Sequence, residues 1–109
     1  MGGKEGRGYE GMFIMVPTLN EEGFEKTVKA ITDAIKKQGG EVEESQKWGK
    51  RRLAFRIRKQ QDGLYHLVKF RCSPSAISEL KSTYKLNEVI MRVLIISVNS
   101  KAAGGAVDG

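Results

Sequence analysis

Cysteine, histidine and tryptophan each occur once in this 109-residue chain, and proline twice. A single thiol, Cys72, excludes an internal disulfide and a cysteine-built zinc cage, which fits a reducing compartment. The single histidine, His66, stands six positions from Cys72 on one strand-like segment, about 20 Å away, so the two cannot form a nucleophile-base pair and read as packing residues. A phosphate-cradling G-x-x-x-x-G-K-S/T loop is missing, and the G-x-G-x-x-G of Gly6, Gly8 and Gly11 precedes a strand where a dinucleotide fingerprint would follow one. Glu41, Glu43 and Glu44 cluster beside a turn without a second functional group, which fits a solvated strand start. The longest mostly apolar run, Val89 to Val98, contains Arg92 and is half a membrane span, and no charged-then-apolar leader precedes Tyr9. The expectation is a non-enzymatic domain without metal, cofactor or membrane segment.

What the chain has instead is cationic charge in one place. The total is +6, yet residues 47–72 alone hold nine basic residues and one acidic one. Residues 1–46 hold six and nine, and residues 73–109 hold four and three. Lys47, Lys50, Arg51, Arg52, Arg56, Arg58 and Lys59 follow one another with no acid among them. Such a field attracts phosphate polyanions through Coulomb forces and counterion release. A solvated strand edge protected by its charges, or an acidic protein partner, are the alternatives open at this point.

The ends, residues 1–8 and 99–109, are small and Gly-rich and read as tails around one domain over 9–98. Tyr9 to Val16 is a short apolar run closed by Pro17, hence a strand. Asn20 is a helix N-cap candidate, followed by Glu21 and Glu22 in the first turn. Phe24, Val28, Ile31 and Ile35 then recur at helical spacing, and Gly39-Gly40 stops the helix. From Val42 to Lys59 polar and apolar residues alternate over a stretch of roughly 60 Å if straight, which predicts a bend or bulge at Trp48-Gly49. Asp62-Gly63 predicts the hairpin turn, and Leu64 to Cys72 the third strand. Ser73-Pro74 opens a second helix carrying Ile77, Leu80 and Tyr84 and ending near Leu86, and Val89 to Val98 is the fourth strand. Strand, helix, strand, strand, helix, strand is the order of an α+β ferredoxin-like βαββαβ sandwich, a four-stranded antiparallel sheet with both helices on one face.

Such a sheet should be polar on its uncovered side. Here Met12 and Ile14 oppose Phe13 and Met15, and Leu94 and Ile96 oppose Val93 and Ile95. Leu67 likewise opposes Val68. An uncovered apolar face points to a protein partner through Met12, Ile14, Leu67, Leu94 and Ile96, unless a tail or the end of a bent hairpin covers it. An RNA-binding ferredoxin-like module accounts for the basic strand, although GLYHLVKFR lacks the aromatic string on which RNA-recognition motifs stack bases. A small hydrolase on this fold would want a Gly-rich basic loop where Pro17-Thr18-Leu19-Asn20 stands, and a plain protein-interaction module leaves the cations unexplained.

Several strings together resemble the bacterial-type small-subunit ribosomal protein six family. They are Tyr9-Glu10, Pro17-x-Leu19, Gly39-Gly40, Trp48-Gly49-Lys50-Arg51-Arg52-Leu53-Ala54-Phe55-x-Ile57, Gly63-x-Tyr65 and Leu86-Asn87-Glu88-x-x-x-Arg92, in order over residues 9–98. The resemblance implies a structural constituent of the small ribosomal subunit, cytoplasmic or organellar. It also implies binding of the central domain of small-subunit ribosomal RNA as a heterodimer with ribosomal protein eighteen. By motif position it carries over Tyr9, Arg51, Arg52 and Arg92 as RNA-proximal residues; Arg7, Arg56, Arg58 and Lys59 join them on charge alone. Arg52 has a second reading, as a structural partner of Glu10 across the sheet. The end of the chain, AAGGAVDG, lacks the glutamate-extended acidic tail of some relatives. Gly11, where many relatives place a core residue, has no explanation in the sequence.

Overall fold

A computed structural model describes residues 6–98. Strand β1 (Arg7–Met15) is followed by helix α1 (Glu21–Lys37), strands β2 (Glu41–Ile57) and β3 (Gln60–Cys72), helix α2 (Ile77–Lys85) and strand β4 (Ile90–Val98). The sheet order is β2-β3-β1-β4 and every pairing is antiparallel, which is the ferredoxin-like arrangement the element order predicts. The expected tails lie largely outside the described residues. Within them, β1 starts before Tyr9: Arg7 and Gly8 already pair with Cys72 and Arg71, and the Arg71 guanidinium donates to the Gly6 carbonyl.

Helix α1 forms where its caps and spacing require. The Asn20 side chain accepts from the Gly23 amide at 2.7 Å, satisfying one of the free first-turn donors. Lys36 and Lys37 sit at the negative end. Gly39, at φ +83°, closes it, and the Gly40 amide returns to the Ile35 carbonyl at 2.8 Å. Its buried stripe is Phe24, Thr27, Ile31 and Ile35; Thr27 takes the inward place expected for the only partly buried Val28 and donates its hydroxyl to the Gly23 carbonyl. The Ser73-Pro74 signal opens a 3-10 turn, Pro74–Ala76, before α2 begins at Ile77.

The core lies between the helices and one sheet face. Phe13, Met15, Val68, Phe70, Ile31, Ile35 and Leu80 are wholly buried there. The Phe13 and Tyr84 rings meet edge to face at 4.9 Å, and the Tyr84 hydroxyl donates to the Ile31 carbonyl at 2.8 Å, tying the two helices. Burial pushes this phenol well above its ordinary range, so it stays a neutral donor. Gly11 is explained here: a Cβ on it would stand 2.9 Å from Phe13 Cε1, so the glycine leaves the space the Phe13 ring fills.

The hairpin departs from expectation. The turn is Arg58-Lys59, both with positive φ (53° and 67°), between Ile57 and its partner Gln60. Asp62 and Gly63 lie inside β3, opposite Arg52 and Arg51. Gly63 belongs in the strand for a steric reason, since a Cβ there would stand 2.5 Å from Ile14 Cγ2. The register of β2 shifts at Val42/Glu44, at Lys47/Gly49 and at Arg52/Ile57. A straight 17-residue strand would span about 56 Å, and the longest dimension of the described residues is 41 Å. The bulge foreseen at Trp48-Gly49 is one of these bends, with Gly49 at φ +85°.

Candidate functional site

On the uncovered sheet face, three cross-strand rows set by register follow the row of Val98, Gly8, Arg71 and Glu41. The first runs Ile96, Glu10, Lys69, Glu44, and Lys69 Nζ bridges the two carboxylates at 3.9 and 3.5 Å. A hydrogen bond from the Gln46 amide, and then the Lys69 charge, hold the Glu44 carboxyl below the usual carboxylate range. The second row runs Leu94, Met12, Leu67, Gln46, and the third runs Arg92, Ile14, Tyr65, Gly49.

Met12, Leu67, Leu94 and Ile96 line a cavity of about 340 Å³ with Glu10 and Trp48. Leu94 and Ile96 are about half exposed, at 47 and 59%. This is the uncovered apolar face that alternation predicts. Ile14 is not part of it. It is only 5% exposed, because Leu53, Met91 and Ile14 converge over Gly63, where the bent end of the hairpin lies on the sheet. The hairpin is held there by Arg58, which donates to the Glu88 carbonyl at 2.6 Å and the Ile90 carbonyl at 3.2 Å. Ile90 opens β4, at the opposite edge of the sheet from β2. The hairpin end therefore covers the row of Ile14 and leaves the rows of Met12 and Glu10 open.

Trp48 is the residue that sequence reasoning missed. As the extra residue of the Lys47/Gly49 bulge it turns to the open face. Its indole donates to the Gln46 side chain at 3.3 Å, and the Arg51 guanidinium lies over its ring at 5.1 Å. The available signal was a lone aromatic beside a glycine, within a run of cations where a strand must bend.

The predicted cationic residues divide by position. Arg51, Arg52, Arg56, Arg58 and Lys59 are exposed along the distal half of the hairpin, and Arg92 is exposed on β4, lining one cavity with Arg58. Arg7 is also exposed, at the opposite end of the sheet: it is level with Cys72, nine residues along β3 from the Gly63 level of Arg51, or roughly 30 Å. Tyr9 belongs to the core. Its ring is 8% exposed and stacks on Phe70 at 5.7 Å, so the structure separates it from the surface cations. The pairing of Arg52 with Glu10 does not occur; Arg52 is level with Asp62, seven residues along β3 from the Lys69 that bridges Glu10, or roughly 23 Å. Lys47 turns to the helix side, over the Phe24 ring at 5.0 Å, so the basic segment does not form a single patch.

His66 and Cys72 both lie in the core. His66 Nε2 shares a 2.7 Å hydrogen bond with the Ser45 hydroxyl, and burial, then the charge of Lys47, lower its pKa. Burial alone raises the Cys72 thiol. Among the described residues no three metal-ligating side chains come together, and no helix is long and apolar enough to cross a membrane.

Residues 8–97 match the family model described as ribosomal protein S6. The chain is 39% identical over 95 residues to the small ribosomal subunit protein bS6 of Helicobacter acinonychis, covering 87% of this chain and 67% of that one. It is 38% identical over 90 residues to the bS6 of Caldanaerobacter subterraneus subsp. tengcongensis, covering 83 and 95%. The crystal structure of 30S ribosomal protein S6 from Thermotoga maritima superposes with a TM-score of 0.82 at 27% identity, over 94% of this chain and 96% of that one.

Proposed function

Because the chain belongs to the ribosomal protein S6 family, a family of small-subunit constituents and not of enzymes, we propose that it binds small-subunit ribosomal RNA as a heterodimer with ribosomal protein eighteen and so supports assembly of the central domain. The observation that carries the proposal is the adjacency of two unlike surfaces. A cavity of about 340 Å³ with apolar walls opens on the bare sheet face, and Trp48 on its rim carries the Arg51 guanidinium that begins the cationic hairpin. Apolar surface of that kind favours a protein partner, and clustered guanidinium groups favour phosphates. In this reading Met12, Leu67, Leu94, Ile96 and Trp48 meet the partner. Arg51, Arg52, Arg56, Arg58, Lys59 and Arg92 meet RNA, positioning the protein by phosphate contacts and by RNA shape, with Arg7 as a separate contact at the far end.

Two measurements test it. Leu67→Glu combined with Ile96→Glu should abolish the heterodimer while the isolated chain keeps its circular dichroism and thermal midpoint, both side chains lying on the open face. Retained pairing would move the interface elsewhere. Affinity for small-subunit ribosomal RNA, measured with ribosomal protein eighteen present, should fall linearly on a log-log plot against salt. A flat response would remove phosphate contact as the mechanism.

A further inference from the structure

A further cationic groove, sharing Arg58 and Arg92 with the hairpin surface, lies where α2 meets the outer edge of β4. The groove there has a volume of about 510 Å³, within the size range of ligand-binding clefts. Four cations line it: Lys81 and Lys85 from α2, Arg92 from β4, and Arg58 from the hairpin tip. No carboxylate lines the groove, and none of the four has an acidic partner within 4 Å among the described residues.

Three features of the fold create this concentration of charge. Lys81 and Lys85 are four residues apart, so they project from one side of α2, while Tyr84 between them turns into the core. Arg92 follows Met91, which has no partner in the β1 ladder because the register shifts between Ile14/Arg92 and Met15/Ile90. Arg58 is carried across the sheet and fixed by its two carbonyl contacts, so its charge is held in place before any ligand arrives. β4 is also an edge strand, with one side of its backbone free of sheet partners. Edge protection would be served by a single lysine on the strand itself; it does not call for two from a neighbouring helix and one from a distant hairpin.

We infer that the groove between α2 and β4 is a phosphodiester-binding site for a strand of ribosomal RNA, with Lys81 and Lys85 as contacts additional to the hairpin arginines. The inference rests on the RNA-binding reading above and extends it from Arg58 and Arg92 to α2, where neither charge runs nor motif positions had placed RNA.

The test uses the full chain with ribosomal protein eighteen and small-subunit ribosomal RNA, comparing wild type, Lys81→Gln/Lys85→Gln, and the control Lys26→Gln/Lys37→Gln, which removes two exposed lysines from α1. Each phosphate contact contributes about 0.7 to 0.9 to the salt slope. The α2 variant should therefore lower the slope by about 1.4 to 1.8 and weaken binding roughly tenfold or more at low salt. The α1 control should keep the slope. Unchanged circular dichroism is expected for both variants, since all four lysines are exposed. Equal slopes for wild type and the α2 variant would overturn the groove while leaving the hairpin reading in place. Loss of heterodimer formation with RNA affinity intact would also overturn it, assigning the groove to an acidic protein segment. Failure of the wild-type chain to bind RNA at all would sink both readings together.

Discussion

The clamp made by Arg58 can be tested through a series of substitutions whose signs differ. Its guanidinium makes two charge-assisted hydrogen bonds to the carbonyls of Glu88 and Ile90, one exposed and one part-buried. Bonds of this class contribute about 1.5 to 3 kcal/mol when well buried; with one in solvent, about 2 kcal/mol is reasonable for the pair. The same residue sits at φ +53°, and Lys59 at φ +67°. Left-handed backbone costs a non-glycine residue about 1 to 2 kcal/mol, and glycine gives back about 0.5 to 1 of that in chain entropy. Arg58→Ala should therefore cost about 2 kcal/mol, because it loses the clamp and keeps the strain. Arg58→Gly should cost only about 1, and Lys59→Gly should stabilise by about 0.5 to 1.

Urea unfolding of the isolated chain, with equal m-values across the series, would read these differences directly. The clamp also has a structural signature. Without it the hairpin end should lift from Ile14, so amide exchange at Ile14 and Met91 should quicken in Arg58→Ala and not in Lys59→Gly. If Arg58→Ala were as stable as wild type, or Arg58→Gly were the less stable of the two, the account of the hairpin as a strained turn held down by one side chain would be refuted.

Three further outcomes are expected. The lowered pKa of His66 means that the folded state binds its proton more weakly than the unfolded chain, so stability should be complete above about pH 6.5 and fall as pH drops through the unfolded value toward the folded one. His66→Leu should flatten thermal midpoints measured between pH 7.5 and 5, and an unchanged slope would show that another group titrates. Gly11→Ala forces a Cβ to within 2.9 Å of Phe13 Cε1, and overpacking of this kind should cost about 1 to 3 kcal/mol in urea unfolding. Trp48→Ala should weaken the heterodimer by about 2 kcal/mol, roughly 30-fold in calorimetric titration, with little change in the stability of the isolated chain because the side chain is 41% exposed.

Helix α1 was legible because its cap, its spacing and its stop all point the same way. The sheet order followed from the element order once two strand-helix-strand units were identified. The turn was misread because Asp62-Gly63 is the stronger local signal, and local signals carry no information about Ile14, whose side chain requires a glycine inside β3, or about Glu88 and Ile90, which hold Arg58 in a left-handed turn. Tyr9 could have been placed correctly. It shares parity with Phe13 and Met15, and alternation alone puts it among the core residues. Ile14 could not, since its parity matches that of the half-buried Met12 on the open face and only the folded-over hairpin distinguishes them. Trp48 was hidden by the bulge, which adds a residue and breaks the period-two reading on which face assignment depends.

The two proposed surfaces share one contact, and this has a consequence for how they act together. Trp48 lines the apolar cavity and carries the Arg51 guanidinium at 5.1 Å from its ring. In a free chain that ring is partly in water, and the stack over it is worth only about 0.5 to 1 kcal/mol; desolvation of the ring by a partner would raise this to about 2. A partner seated in the cavity would thereby hold Arg51 in one direction and reduce the side-chain entropy lost when a phosphate is bound. Thermodynamic reciprocity would then require RNA to strengthen the proposed heterodimer by the same factor. Co-operation between the two proposed partners would thus need no rearrangement of the sheet, since one tryptophan, displaced to the open face by a bulge, touches both the cavity and Arg51.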